Sequence, residues 1–398
     1  MKNPYRSTMY ACFTGYVVQA IVNNFIPLLF VTFQQCYSIS LSRITFLITF
    51  NFGVQLAVDL LSAGLIDRIG YRASVLAAHL FSAAGLFFLA ILPQILPDPF
   101  AGLLISVTVY AIGGGLIEVL ISPIIEACPF DNKEGIMRLL HSFYCWGHVG
   151  VVLISTLFFA CFGINHWQIL AFLWAVVPLA NFFAFCRAPI ISLKEERGEG
   201  LSVRSLLSLG TFWIMVILML CAGASEQAVS QWASAFMEKG LGISKAIGDL
   251  AGPMTFAVMM GSSRALYSKF SSRLNLQNAL MISGLLCLTS YLLIAFCSWP
   301  PAGLAGCALC GFSVGILWPG TFSLASARIN GGTAMFAFFA LAGDLGCSLG
   351  PTLVGNVSSL AGGQLRAGIL AAICFPAALI LGLSLLKKDP SCVSAKAQ

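Results

Sequence analysis

Ala111-Ile-Gly-Gly-Gly-Leu-Ile-Glu118-Val-Leu-Ile-Ser-Pro123 is the stretch whose reading decides the fold. It lies in an apolar run from 101 to 126, longer than the ~20 residues a helix needs to cross a bilayer. An ionised acid at that depth costs about 2.5 to 3.5 kcal/mol on insertion scales, so such a residue faces a cavity or a partner. The three glycines before Glu118 let a neighbouring helix or a ligand approach the backbone. Pro123 is tolerable there when neighbours satisfy the carbonyl it frees. Glu118 is therefore a candidate functional residue.

The rest of the chain agrees with a membrane reading. Its 398 residues are 59% hydrophobic and 9% charged, with a mean hydropathy of +0.91, against about 25% charged in soluble domains. Met1 to Thr8 is short and basic, and the first apolar segment is full length and contains Asn23 and Asn24; it is expected to stay as a helix and not to be cleaved as a leader. The 14 cysteines fall mostly in apolar runs and read as small hydrophobes. Cys307-Ala-Leu-Cys310 has no second pair to make a metal or redox site. No nucleophile–base pair, metal cluster or phosphate loop is visible, so neither an enzyme nor a bound cofactor or metal is expected.

By the 20-residue ruler the chain holds about twelve spans: 10–33, 44–66, 73–93, 101–126, 139–162, 167–187, 209–236, 247–268, 278–298, 302–325, 332–356 and 364–386. The expected fold is all-α, with two six-helix bundles related by a pseudo-two-fold axis. An N-terminal bundle, 1–187, and a C-terminal bundle, 209–398, are separated by a linker, 188–208, that carries Lys194-Glu-Glu-Arg-Gly-Glu-Gly200. Of the 21 Lys and Arg, only Arg43, Lys239, Lys245 and Arg366 fall on one side of this topology. The other side, Arg264 included, is then cytoplasmic. The count expects both termini and the linker in the cytoplasm, a multi-pass protein of the cell (inner) membrane, and no basic residue within the bilayer. It also explains the net charge of +6 as membrane orientation, so no nucleic-acid partner is expected.

The halves read as weak copies. Gly147-His148-Val149-Gly150 matches Gly343-Asp344-Leu345-Gly346, and the same offset carries Gly115 and Pro123 onto Gly311 and Pro319. Gly64 and Gly261 stand at equivalent points in the second helix of each half. Parallel repeats of this kind put the substrate site between them near the midplane.

Polar residues fall on helical stripes. Asn51, Gln55, Asp59 and Ser62 step by three or four in the second helix, Tyr16, Gln19 and Asn23 in the first, and Glu226, Gln227, Ser230, Gln231 and Ser234 beside Trp232 in the seventh. A stripe of this kind faces protein or water, and the competing account is simple helix-to-helix hydrogen bonding. Candidate solute-binding residues are Gln19, Asn23, Asn24, Asn51, Gln55, Glu118, Glu226, Gln227, Gln231, Trp232 and Trp318. The two indoles are candidates for stacking on a sugar ring, or packing residues. Five acids fall within the spans. Glu126, at a helix end, is expected to meet solvent or loop cations. Glu118, Glu226 and Asp344 lie deeper without a basic partner, the condition that favours a neutral, proton-carrying acid. Asp59 belongs either to a gate or to the site. His148 is a possible relay or a packing residue, and His141 is expected to cap the fifth helix or contact a loop.

Gly64-Leu-Ile-Asp67-Arg68-Ile-Gly70-Tyr71-Arg72 resembles the signature loop of the major facilitator superfamily, G-x-x-x-D-R-x-G-R-R, departing at Tyr71. The resemblance implies a cytoplasmic gate built from Gly64, Asp67, Arg68, Gly70 and Arg72, with Asp59 nearby. More narrowly, Gly113 to Glu118 with Pro123, followed by Leu139-Leu-His141-Ser-Phe143-Tyr144-Cys-Trp-Gly147, is similar to the fucose-permease branch of sugar and proton symporters. That implies a role for Glu118 in sugar recognition and proton coupling. Ser122 stands where that branch commonly has Asn, and the first helix offers amides where the branch has a second acid.

The expected activity is secondary active transport by alternating access, carrying a small polar solute, a monosaccharide or related polyol, inward with a proton across a lipid bilayer. A monomer is expected. The alternative is proton-coupled efflux of amphiphilic compounds; against it, Gly147 to Ile154 holds no proline, whereas exporters of the superfamily commonly carry a Gly-Pro motif there.

Overall fold

The structure is a computed structural model that describes residues 4–130, 133–191, 201, 203–270, 274–297, 299–329 and 332–387. The charged centre of the linker, including Lys194 to Gly200, lies outside the described residues. Among the described residues the chain is helical throughout, and eleven helices are long and apolar enough to cross a membrane.

The spans, numbered in chain order, are α1 (Arg6–Tyr37), α2 (Leu41–Ile69), α3 (Tyr71–Ile95), α4 (Pro99–Ala127), α5 (Lys133–Phe162), α6 (Trp167–Arg187), α7 (Gly210–Ser230), α8, α9 (Leu276–Phe296), α10 (Pro300–Ser326), α11 (Gly332–Leu360) and α12 (Leu365–Leu386). Of the twelve expected spans, α8 falls short. It is assembled from Lys245–Asp249, a π turn at Leu250–Met254 and Thr255–Phe270. Pro253 within the π turn accounts for the irregularity, since it has no N–H for the helical ladder. Arg264, Lys269 and the serines of the last segment lower its hydropathy.

Several helix ends follow from local chemistry. The Ser40 hydroxyl accepts from the Arg43 N–H at the start of α2 and the Asp98 carboxylate from the Phe100 N–H at the start of α4, each satisfying one of the donors a helix start leaves open. Gly70, at φ +86°, ends α2 in a backbone region that side chains disfavour. α1 is interrupted by a 3-10 turn at Ile26–Leu29 around Pro27, and α10 breaks between Val314 and Leu317.

The two halves use the same pairings. α3 packs on α4 and α6, as α9 packs on α10 and α12; α2 packs on α4, as α8 on α10; α1 packs on α5, as α7 on α11. Along the α7–α11 contact a side chain at Gly346 would run into the backbone of Leu220 and Ala224, so glycine sets the separation of these helices. Between the halves, α2 runs against α11 and α5 against α8. On the α2–α11 seam the hydroxyls of Ser42 and Ser359 are 2.7 Å apart and those of Thr49 and Thr352 2.5 Å apart. Lys239 donates to Gln34 across the same end of the bundle.

Candidate functional site

The polar stripes of α1, α2, α4 and α7 meet at the centre of the molecule in one hydrogen-bonded chain. The Gln19 amide N–H2 donates to Glu118 Oε2 and to Gln55 Oε1, each at 3.1 Å. Gln55 Nε2 donates to Asn23 Oδ1 at 3.0 Å. The Asn23 backbone carbonyl accepts from Gln231 Nε2 at 3.1 Å, which carries the chain into the second half. Gln231 also donates to Gln227 Oε1 at 3.1 Å, and Gln227 to Glu226 Oε1 at 3.4 Å. Seven of the eleven expected solute-binding residues are thus joined in one chain, and the sequence spacing explains why: residues three or four apart share a helix face.

At the far end of the chain Glu226 Oε2 lies 3.7 Å from the Arg264 guanidinium, with side chains 10% and 18% exposed. This corrects the charge count, which assigns Arg264 to a cytoplasmic loop and leaves no cation in the bilayer. The reason lies in α10. Pro319 has no N–H to offer the carbonyl of Gly315 four residues before it, and Arg264 Nε donates to that carbonyl at 3.1 Å. A long side chain on α8 therefore turns inward to satisfy the break and reaches Glu226. Glu226 is paired, contrary to expectation.

The other deep acids remain without a cation within ion-pair distance among the described residues. Asp59 on α2 and Asp344 on α11 face one another across the seam, with Glu118 near both. Among the described residues no donor group other than the facing Asp344 carboxyl reaches the buried Asp59 carboxylate oxygens. Gly114, one turn before Glu118, comes under the amides: a Cβ there would lie 3.1 Å from Gln19 Oε1 and 3.5 Å from Gln55 Oε1.

The remaining candidates are less central to this chain. Asn24 donates to the Ala20 carbonyl at 2.9 Å, and Asn51 is buried with Oδ1 unpartnered. The Trp232 indole is 1% exposed; its N–H donates to the Pro351 carbonyl at 2.9 Å and its ring packs on Phe30, so neighbouring helices cover its faces. Trp318 is half-buried, against Gly343 and Phe322. His148 is buried. His141 does not cap the helix, because α5 begins at Lys133; its imidazole faces the Tyr16 ring at 5.3 Å.

At the gate motif, the side chains of Gly64 and Asp67 lie outside the described residues, and Arg68 is exposed. Arg72 donates to the carbonyls of Phe185, Cys186 and Ala188 at 2.9, 3.1 and 2.7 Å. It thereby ties α3 to the end of α6, where a cation complements the open carbonyls of a helix C-terminus.

Sequence reasoning missed the inward turn of Arg264 and the partner of Tyr16, whose hydroxyl lies 3.0 Å from Ser122 Oγ. It also missed a buried pair in the first half, where Asn181 Nδ2 donates to His79 Nε2 at 2.8 Å and to the Ala11 carbonyl at 3.0 Å. The unpaired Glu226 was itself a signal for Arg264, because a deep acid calls for a deep cation.

Comparison with known proteins points the same way. No curated protein sequence matches the chain. Among solved structures, a variant of the E. coli fucose:proton symporter has a TM-score of 0.65 at 17% identity, covering 96% of this chain and 98% of the other. A D-xylose-proton symporter has a TM-score of 0.77 at 14% identity, over 96% and 97% of the two chains. A bacterial homologue of the human lysosomal transporter Spinster, in an inward-facing and occupied conformation, has a TM-score of 0.75 at 13% identity over 98% of each chain. At these identities the likeness is one of fold. The sequence profile of the Major Facilitator Superfamily matches residues 11–351, and with that match over most of its length the chain belongs to this superfamily of membrane transporters.

Proposed function

We propose that the protein is a proton-coupled transporter that takes up a small polar solute, a monosaccharide or related polyol, by rocking its two six-helix halves around the central amide–carboxyl chain. The observation that carries this reading is that chain itself. It runs from Glu118 in one half to Glu226 in the other and crosses between them at Asn23 and Gln231. Movement of the halves must break or remake the Gln231–Asn23 bond, so occupancy at the centre and the relative position of the halves are linked. Two of the structures the fold resembles are sugar:proton symporters, which supports the solute class.

Proton carriage falls to Glu118, with Asp344 and Glu226 as the further acids and Asp59 beside Asp344. Among the described residues Glu118 has no cation within ion-pair distance, whereas Glu226 has Arg264; the assignment therefore favours Glu118. The driving force is adequate. One charge crossing the membrane gains about 2.3 kcal/mol per 100 mV, and each pH unit adds about 1.36 kcal/mol. In this reading the protein sits as a monomer in the cell (inner) membrane with both termini and the linker, 188–208, in the cytoplasm, between bundles 1–187 and 209–398.

The test is solute uptake by de-energised cells or proteoliposomes with the external pH recorded. Alkalinisation should accompany uptake, and Glu118→Gln should abolish accumulation while leaving a folded protein. Uptake that moves no protons would remove the coupling; full accumulation by the variant would remove Glu118 from it.

A further inference from the structure

We propose that the solute carries a protonated amine, whose ammonium docks over Gly114 against Glu118 and the side-chain carbonyl oxygen of Gln19. This rests on the transport reading above and narrows its substrate class.

The first ground is an imbalance of donors and acceptors. Gln19 is 2% exposed. Both protons of its amide are committed, one to Gln55 and one to Glu118, which also fixes the orientation of the amide. Its Oε1 is left buried with no donor. The unpartnered buried atoms of Asn51 and Asp59 are acceptors too. Among the described residues the centre is therefore short of donors. A hydroxyl supplies one donor but brings acceptors of its own, whereas an ammonium has three donors and no acceptor.

The second ground is charge. Glu118, Asp59 and Asp344 lie together, and Arg264 is committed to Glu226 and to the Gly315 carbonyl. Protons and a positive charge on the solute are the two ways to balance three carboxyls. A carboxylate on the solute would add to the excess.

The third is shape. A Cβ at Gly114 would lie 3.0 Å from Val22 Cγ1, 3.1 Å from Gln19 Oε1 and 3.5 Å from Gln55 Oε1, so glycine brings the α4 backbone close to both acceptors, and Glu118 stands one turn along the same helix. Two neutral acceptors and one acid thus converge beside Gly114.

The experiment uses the full-length protein in detergent, with binding measured by calorimetry and by thermal shift. Three probes share one scaffold: sorbitol, its amine glucamine, and its acid gluconate. Glucamine should bind at least ten-fold tighter than sorbitol, and gluconate more weakly than either. Glu118→Gln should lower the ratio of glucamine to sorbitol affinity at least five-fold. Should that variant not fold, Gln19→Met, which keeps the length and removes the acceptor, should weaken glucamine several-fold. Sorbitol binding as tightly as glucamine, or glucamine binding undiminished in both variants, overturns the amine and leaves the transport reading standing. If no probe binds and none exchanges across proteoliposomes, the amine proposal and the polyol reading both fall.

Discussion

Replacing Glu226 with Gln removes the acid from a pair in which Arg264 cannot follow by losing its charge, because a guanidinium stays protonated. At the observed 3.7 Å and an effective dielectric of about 20, the attraction is about 4 kcal/mol. Breaking a buried pair by removing one partner costs about 3 to 5 kcal/mol. The partial exposure of both side chains argues for the lower end, about 3 kcal/mol. Arg264→Gln should cost about 2 kcal/mol, chiefly because the Gly315 carbonyl loses its donor and because the acid left behind can take up a proton. Once Arg264 is gone, removing Glu226 should cost less than about 1 kcal/mol, so the cycle should return a coupling of about 2 to 3 kcal/mol. The assay is equilibrium unfolding of the four detergent-purified proteins with a denaturing detergent, followed by tryptophan fluorescence. A Glu226→Gln cost that is the same with and without Arg264 would refute the pairing and return Arg264 to the solvent-facing role that the charge count gives it.

Three further outcomes can be checked. Gly346→Val should cost at least about 3 kcal/mol, the upper range for overpacking, because its side chain meets the α7 backbone; loss of the monodisperse peak in size-exclusion chromatography reads it, and an unchanged peak speaks against the close α7–α11 approach. Arg72→Ala should lower stability by about 1 to 2 kcal/mol through its three carbonyl bonds, while the variant that reaches the membrane keeps its affinity for solute in a binding assay. Cysteines replacing Thr49 and Thr352, in a background freed of exposed native cysteines, should cross-link and arrest solute counterflow, with reductant restoring it; efficient counterflow by the cross-linked protein would mean that the seam does not part.

The fold was legible because a bilayer imposes a length on every helix, and that constraint acts on the sequence directly. It gave α1 to α7 and α9 to α12 within a few residues. The stripes of Gln19, Asn23, Gln55, Gln227 and Gln231 were legible for the same local reason, since helical periodicity fixes which residues share a face. Their partners were not. Which amide of α1 meets which amide of α2 depends on how the helices are rotated against each other, and side-chain packing along both helices sets that for pairs 32 and 36 residues apart in sequence. Arg264 shows a different limit. Its position near a helix end suits a solvent-facing residue, and only the orphaned carbonyl beneath Pro319, on another helix, turns it inward. Trp232 resembled a stacking residue by type and neighbourhood, yet the indole is spent on Pro351 and Phe30.

The hydroxyls that face one another on the α2–α11 seam have a second attachment. Thr49 also donates to the Thr45 carbonyl at 3.0 Å, and Thr352 to the Ser348 carbonyl at 2.6 Å. A hydroxyl owns a single proton, so each can bond its own helix as readily as its neighbour's. When the seam separates, neither oxygen is left stranded, and little enthalpy is lost. In the proposed transport cycle, a joint of this kind would add only the small net cost of one neutral hydrogen bond, about 1 kcal/mol, to separating the seam.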